Sequence, residues 1–375
     1  MGGEAKWRQL RGQITGVPAP ETGPDGATPT CAWPRPPTML EHLEIHRSLA
    51  SPTHQCAVME SAIRRGRAVA RGPRPRHGGL VSSLSQVAAG NPDAWNRTAM
   101  TVDRCSPHRW SPEPYTKPAC SQWNVDQAAA FVLCSAATAE AVAVPRDRWV
   151  FPVAGAESNL MVPMTQRGEI HRSPAAVEVG RALAAAAGRP LGELELLEVY
   201  SCFPSAVQMQ AEAFGIDLDA RPFSVTGGMH FAGGPLNSFT LQALARLVPM
   251  LRAEPSATAL VSSISGLVTK VGGGLWSATP PDDGFVDVDV TEAAAATTET
   301  RTVDADHAGA ATVVGYTVAH AGGAPVDAVV VADSPGGTRA VACTGDADLV
   351  AGLREGEWCG RTVAVRGASL VGLEG

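Results

Sequence analysis

Hydrophobic and polar positions form their densest pattern of strand, turn and helix signals between residues 194 and 235. Residues 194–199 are apolar except for two glutamates, which is typical of a mostly buried strand. Pro204 follows at a favoured first helical position, and Gly215 marks the end of the helix predicted over residues 205–214. Ligands of open α/β sheets lie outside the carboxyl ends of strands. The turn after this strand is therefore the first candidate for a functional site.

A second turn in the same stretch carries two pairs of glycines. Gly227 and Gly228 come first, and Gly233 and Gly234 precede a helix predicted over residues 237–253. The free N–H groups at the start of that helix could face an anion or an oxyanion. We therefore expect both turns to contribute to one site.

The segments on either side add further elements. Residues 124–142 are almost wholly apolar after Asp126, which predicts a buried helix capped by Asp126, with Cys134 as a small buried side chain. Residues 149–153 and 257–263 have the pattern of strands.

Composition shifts along the chain divide it into parts. A helix over residues 175–187 is expected to end at Gly188. The last part combines several strands rich in β-branched residues with one helix at residues 347–354, which predicts a small β-barrel of the OB type. The predicted parts are a disordered or poorly ordered stretch at 1–55, a main domain at 56–282 with a loop-rich peripheral part at 56–123 and a core at 124–282, a linker with one strand at 283–306, and the barrel at 307–375.

Charge and cysteine content narrow the classes of function. The chain has 375 residues, 45% of them hydrophobic, and a net charge of −7, which argues against a nucleic-acid role despite the arginine-rich segment at residues 64–76. Its eight cysteines contain no C-x-x-C pair and are expected to be free thiols in a reducing compartment. No apolar stretch is long enough to span a bilayer, and the first residues lack the layout of a signal peptide. These features predict a cytoplasmic protein.

Four motifs occur in an order that resembles the carboxyl-terminal half of the thiolase superfamily. They are DQAAAFVL, LLEVYSCFPSAV, VTGGMHFAGGPLNSF and ALVSSISG. Within that superfamily the chain resembles the sterol-carrier-protein-x type proteins with an additional C-terminal domain. The resemblance, which covers residues 55–282, implies an α/β fold: the carboxyl-terminal half of the αβαβα thiolase core, followed by the OB-like barrel. It also implies acyl-CoA chemistry with a coenzyme A thioester as substrate and no further cofactor or metal.

The resemblance also assigns catalytic positions, and their side chains differ from the family's. Tyr200 stands in place of the polar residue that helps bind the oxyanion water, Gly234 in place of the catalytic histidine, and Ser263 in place of the acid/base cysteine. The family's first cysteine has no counterpart, so the amino-terminal nucleophile half is expected to be missing. Because a serine hydroxyl is a far poorer acid or base than a thiol near neutral pH, and a glycine carries no side-chain proton, the resemblance implies degenerate catalytic positions.

Candidate site residues follow from both arguments. Tyr200, Ser263 and His230 are the candidate catalytic residues. The candidate substrate-binding residues are Gly233, Gly234, Cys202 and Phe203. Thiolase-like aldolases share the Tyr-x-x-Phe context, so Tyr200 is either a proton-transfer group with a lowered pKa or a packed aromatic. His230 could replace the missing histidine or be a structural donor, and Cys202 is either a nucleophile or part of the core.

Three functions stay open at this point. The chain is an acyltransferase-family member, a thiolase-like retro-aldolase acting on β-hydroxyacyl-CoA through Tyr200, or a non-catalytic acyl-CoA-binding partner subunit. A homodimer, or a heteromer with another thiolase-like or OB-type chain, is expected, because thiolases are generally dimers.

Overall fold

The structure is a computed structural model that describes residues 42–71, 77–105, 112–235 and 237–374. The first 41 residues of the stretch expected to be disordered lie outside the described residues. Its remaining part is ordered: α1 spans His42–His46 and α2 begins at Pro52 and runs to Arg71. Glu44, Leu49 and Gln55 are fully buried, so residues 42–55 include ordered residues that pack on the rest of the chain, unlike the disordered stretch that the sequence suggested.

A five-stranded mixed sheet forms the centre of the main part. Its strands are β1 (Phe151–Glu157), β2 (Leu196–Glu198), β3 (Thr258–Ser265), β4 (Lys270–Ser277) and β5 (Val286–Asp289). The order across the sheet is β2-β3-β4-β1-β5. Strand β2 is parallel to β3 and β1 is parallel to β5, whereas β4 runs antiparallel to both of its neighbours.

Helices cover both faces of this sheet. The described helices of this part are α3 (His77–Ala89), α4 (Ala136–Ala141), α5 (Pro174–Ala187), α6 (Pro204–Phe214), α7 (Gly228–Phe231), α8 (Phe239–Ala253) and α9 (Thr291–Thr297). Leu260 and Leu275 pack in one cluster with α5 and α6, whereas Ala259 and Val261 pack in another with α8. Because side chains alternate along a strand, β3 is buried on both faces.

The predicted helix stops are confirmed. Gly188 follows α5 with φ 65° and Gly215 follows α6 with φ 66°, both in the left-handed conformation that glycine adopts without strain. Ser173 caps the start of α5 by accepting a hydrogen bond from the Ala176 N–H.

The apolar stretch at residues 124–142 is not the predicted buried helix. Only α4 is helical, and it is capped by Ser135, not by Asp126. The residues from 125 to 135 before it have no regular secondary structure, Val132 is 92% exposed, and Cys134 is exposed as well. A helix that is apolar on most sides needs cover on most sides. The described residues place no layer over this stretch, which explains the difference.

The carboxyl-terminal part is a closed five-stranded barrel. It contains β6 (Ala308–Ala321), β7 (Ala324–Asp333), β8 (Arg339–Thr344), β9 (Thr362–Arg366) and β10 (Ser369–Glu374), with α10 (Ala347–Arg354) between β8 and β9. The strands close in the order β10-β8-β7-β6-β9, and β8 pairs with β10 in parallel. Residues 283–306, expected to be a linker with one strand, supply β5 to the sheet and α9, which packs on α5.

Buried arginines join the barrel to the sheet layer within one compact unit. Arg339 on β8 is fully buried; it donates to Asp333 at 2.6 Å and to the carbonyl oxygens of Thr165, Arg167 and Gly168 at 3.1 to 3.3 Å. Among the described helices, none is long and apolar enough to cross a membrane.

Replacing Arg339 by methionine should lower the free energy of unfolding by about 3 kcal/mol, because a carboxylate and three carbonyl oxygens lose their donor. Urea unfolding measures the change. The matched control is Arg366→Met, which removes an exposed arginine of the same barrel. Equal stability of the two variants would contradict a joining role for Arg339.

Candidate functional site

Tyr200 and Ser263 lie at the ends of two neighbouring parallel strands. In the register of β2 and β3, Leu196 lies beside Ala259 and Glu198 beside Val261. Extending this register by two residues places Tyr200 beside Ser263, on the sheet face that α8 covers. Both side chains are half-buried, and the Tyr200 ring meets the Phe239 ring edge-on at 5.7 Å. Of the predicted site residues, these two are related by the strand register and face the same side of the sheet.

Ser262 fixes this strand end from the opposite face, and the sequence analysis missed it. Its hydroxyl accepts a hydrogen bond from the Tyr200 N–H at 2.9 Å and donates to Gln210 Oε1 at 2.7 Å. The Gln210 amide in turn donates to the Tyr200 carbonyl oxygen at 2.8 Å. Ser262 could have been found from the sequence, because it directly precedes Ser263 on a strand that is predicted to be buried on both faces.

The Tyr200 hydroxyl is a neutral phenol. Burial, with a smaller contribution from Cys202, raises its pKa well above the usual value. This shift is opposite to the lowered pKa expected for a proton-transfer base. No hydrogen bond joins the hydroxyl to another of the described residues.

The predicted oxyanion turn is occupied by the protein itself. The Gly234 N–H donates to the Gln122 carbonyl oxygen at 3.0 Å. A Cβ atom at Gly234 would lie 2.5 Å from the Met229 side chain, so Met229 fills the space that a side chain at this position would need. Gly233 is buried and has φ 101°, which favours glycine. Position 234 therefore offers a ligand neither an imidazole side chain nor a free backbone N–H group.

Three further candidates lie in the core. His230 is 2% exposed, its Nε2 lies 3.1 Å from the Ala119 carbonyl oxygen, and burial lowers its pKa to about 4. Burial raises the pKa of the Cys202 thiol to about 12. Phe203 is buried and stacks on Tyr115 with ring centroids 5.9 Å apart. Their surroundings are those of packed structural side chains.

Glu198 anchors the loop that leads to α7. The carboxylate is fully buried and accepts hydrogen bonds from the N–H groups of Val225 and Thr226, both at 2.9 Å, and from the hydroxyls of Ser224 and Thr226. Burial raises its pKa to about 7, against these hydrogen bonds, which lower it. Among the described residues, no cluster of histidine, cysteine, aspartate or glutamate side chains could hold a metal ion.

The fold of this chain is similar to that of a known protein. The crystal structure of a monomeric SCP2-thiolase-like protein type 1 from Mycobacterium smegmatis aligns with a TM-score of 0.76 and 24% identity, over 88% of this chain and 74% of that chain. The chain has a thiolase-like fold. The resemblance to the thiolase superfamily is thus confirmed at the level of fold.

Other comparisons are weaker. The Ltp2–ChsH2(DUF35) aldolase aligns with a TM-score of 0.45 and 18% identity, over 62% of this chain and 65% of that one. The dimeric peroxisomal thiolase of Saccharomyces cerevisiae aligns with a TM-score of 0.43 and 14% identity, over 63% of this chain and 62% of that one. No protein-family model matches this thiolase-like chain, and no curated protein sequence matches it significantly.

Glu198→Gln should remove a pH dependence of stability. The folded pKa of about 7 lies above the ordinary value of 4.5, so the stabilisation is complete below 4.5 and is lost as pH rises through 7. Between pH 5.5 and 8 the unmodified protein should lose about 2 kcal/mol that the variant retains, since each pKa unit between pH 5.5 and the folded pKa corresponds to about 1.4 kcal/mol. Urea unfolding at both pH values checks this.

The control is Glu195→Gln, which replaces the glutamate directly before β2. Its pairing with Arg189 lowers the pKa of Glu195 to about 2, so this carboxylate stays ionised across the tested range and its replacement should cost the same at both pH values. A Glu198→Gln protein that keeps the full pH dependence would show that another group causes it.

Proposed function

We propose that this chain binds acyl-CoA thioesters at the carboxyl ends of β2 and β3 and does not form an acyl-enzyme. The observation that carries the proposal is the set of side chains at the three catalytic positions implied by the thiolase resemblance. Tyr200 and Ser263 follow the paired residues of β2 and β3 on the same face of the sheet, and the space beside Gly234 is filled by Met229.

The available groups do not favour nucleophilic catalysis. Acyl transfer through cysteine needs a thiolate at neutral pH, and the pKa of Cys202 is raised to about 12. A serine nucleophile at position 263 would need an adjacent base. His230, the imidazole that the sequence suggested, is buried against the Ala119 carbonyl oxygen. Binding without covalent chemistry is consistent with these surroundings.

A second candidate function is C–C bond cleavage in a β-hydroxyacyl-CoA. In that reaction a base removes the β-hydroxyl proton, the Cα–Cβ bond breaks to give a carbonyl product and a thioester enolate, and the enolate is protonated at Cα. The Tyr200 phenol stays protonated at neutral pH and is the candidate donor to the enolate, which is a far stronger base than a phenolate. Its raised pKa does not support a role as the base.

The finer architecture and the partners belong to the same proposal. A closed five-stranded barrel, with a helix between its third and fourth strands and a parallel pairing of its third and fifth, supports the OB-like assignment.

The apolar stretch around Val132 is exposed, which supports association with a second copy or with another thiolase-like or OB-type chain. The oligomeric state and the partner remain predictions.

Titration of the purified protein with acetyl-CoA tests the binding proposal. Saturable binding is expected, and Ser263→Trp should weaken it by about tenfold or more, because the indole fills the space at the strand end. Ser369→Trp, at an exposed serine of the barrel, is the control and should bind as the unmodified protein does. Absence of saturable binding up to millimolar ligand would refute the proposal.

The second candidate has its own test. If Tyr200 protonates the enolate, Tyr200→Phe should lower the cleavage rate of a β-hydroxyacyl-CoA by about 100-fold or more, with unchanged thioester binding. Tyr316→Phe removes a hydroxyl from the barrel as a matched control. A cleavage rate that Tyr200→Phe leaves intact would exclude Tyr200, and an unmodified protein that binds without cleaving would leave only the binding function.

A further inference from the structure

A cavity of about 480 Å³ lies apart from the strand ends that carry Tyr200 and Ser263. It is bounded by the start of α5, the loop between β3 and β4, and residues 297–301 at the end of α9. Neither Tyr200 nor Ser263 lines it. Its volume falls within the range of small-molecule sites.

Arg167 lines this cavity and carries an unused donor. The residue is 5% exposed. Its Nε and Nη2 atoms donate to the carbonyl oxygens of Val162, Gly266 and Leu267 at 2.7 to 3.2 Å. Its Nη1 atom is buried and has no hydrogen-bond partner. Desolvation lowers the pKa of this guanidinium to about 10, but it remains charged at neutral pH. A buried cationic donor without an acceptor is costly unless a ligand supplies one.

The start of α5 adds further donors to the same cavity. Ser173 accepts the Ala176 N–H, which leaves the hydroxyl proton of Ser173 without an acceptor among the described residues. Pro174 has no N–H group, so Ala175 presents the first backbone donor of the helix. The helix is 14 residues long, and its dipole favours a negative charge at this end.

The charged side chains of the lining are mostly positive. Arg172 and Arg301 join Arg167, and both have other partners: Arg172 lies 3.7 Å from Glu169 and 3.5 Å from Glu212, and Arg301 lies 3.5 Å from Asp333 and donates to the Gly337 carbonyl oxygen. Glu299 also lines the cavity and is exposed. Glu169 and Glu299 are the two lining glutamates; Glu169 shares Arg172 with Glu212, and Glu299 has no ion pair among the described residues, so Glu299 opposes a bound anion most directly.

The geometry points to this cavity as a binding site for a small molecule that carries a phosphate or carboxylate group. The anionic group lies at the start of α5, beside the Ser173 hydroxyl and the Ala175 N–H, and the guanidinium groups of Arg167, Arg172 and Arg301 supply positive charge around the cavity. Leu160, Val162 and Val268 provide an apolar wall for the organic remainder. This site is independent of the proposed acyl-CoA function, because it uses none of the strand-end residues.

Isothermal titration at constant ionic strength, with inorganic phosphate and with succinate as separate probes, tests the site. At least one probe should bind saturably, and the stronger of the two identifies the anionic group. Arg301→Gln should weaken that binding about 10- to 100-fold through loss of a charged donor, and Glu299→Gln should strengthen it. Arg167→Met should abolish it.

Arg181→Gln is the matched control, since Arg181 lies on the same helix, is 69% exposed in its side chain, and does not line the cavity. Its affinity should equal that of the unmodified protein. Arg167 also holds neighbouring loops, so its replacement could abolish binding by changing the fold. Arg301→Gln and Glu299→Gln lie at the rim of the cavity and change its charge without that risk. Absence of saturable binding of both probes, or equal losses in Arg301→Gln and Arg181→Gln, would overturn the proposal.

Discussion

The burial of β3 on both faces is the constraint on which the rest of this structure depends. One face of the strand packs with α5 and α6 through Leu260, and the other packs with α8 through Ala259 and Val261. A shift of one residue would exchange the two faces, so the register is strongly specified. That register sends Ser262 toward Gln210 and Ser263 toward the face of Tyr200. The packing of Ala259, Leu260 and Val261 therefore determines which side chains of β3 face Gln210 and which face Tyr200.

Local signals in the sequence predict elements that depend on local physics. Gly188 and Gly215 end their helices because a left-handed residue is needed there, and this need is visible in the sequence itself. The stretch at residues 124–142 shows the opposite case. Its apolar composition implies cover, but whether cover exists depends on other parts of the fold, and Val132 is exposed.

Some features of the candidate site can likewise be predicted from the sequence, and others depend on the rest of the fold. The placement of Tyr200 and Ser263 at the ends of neighbouring strands follows from motif order, which the sequence indicates. The protonation states do not follow, because they depend on burial: it raises the pKa of Tyr200 and lowers that of His230. The occupation of the space beside Gly234 by Met229 likewise depends on a side-chain position that no motif specifies.

The loop between β3 and β4 connects the two sites in structural terms. Gly266, Leu267 and Val268 have φ values of 58°, 58° and 68°, and this left-handed conformation costs a residue with a side chain about 1–2 kcal/mol. Such a conformation persists only where surrounding contacts hold it. Arg167 provides such contacts, because it donates to the carbonyl oxygens of Gly266 and Leu267. Ser263 lies three residues before this loop on the same strand, so the guanidinium that faces the cavity also supports the strand end that carries the candidate site.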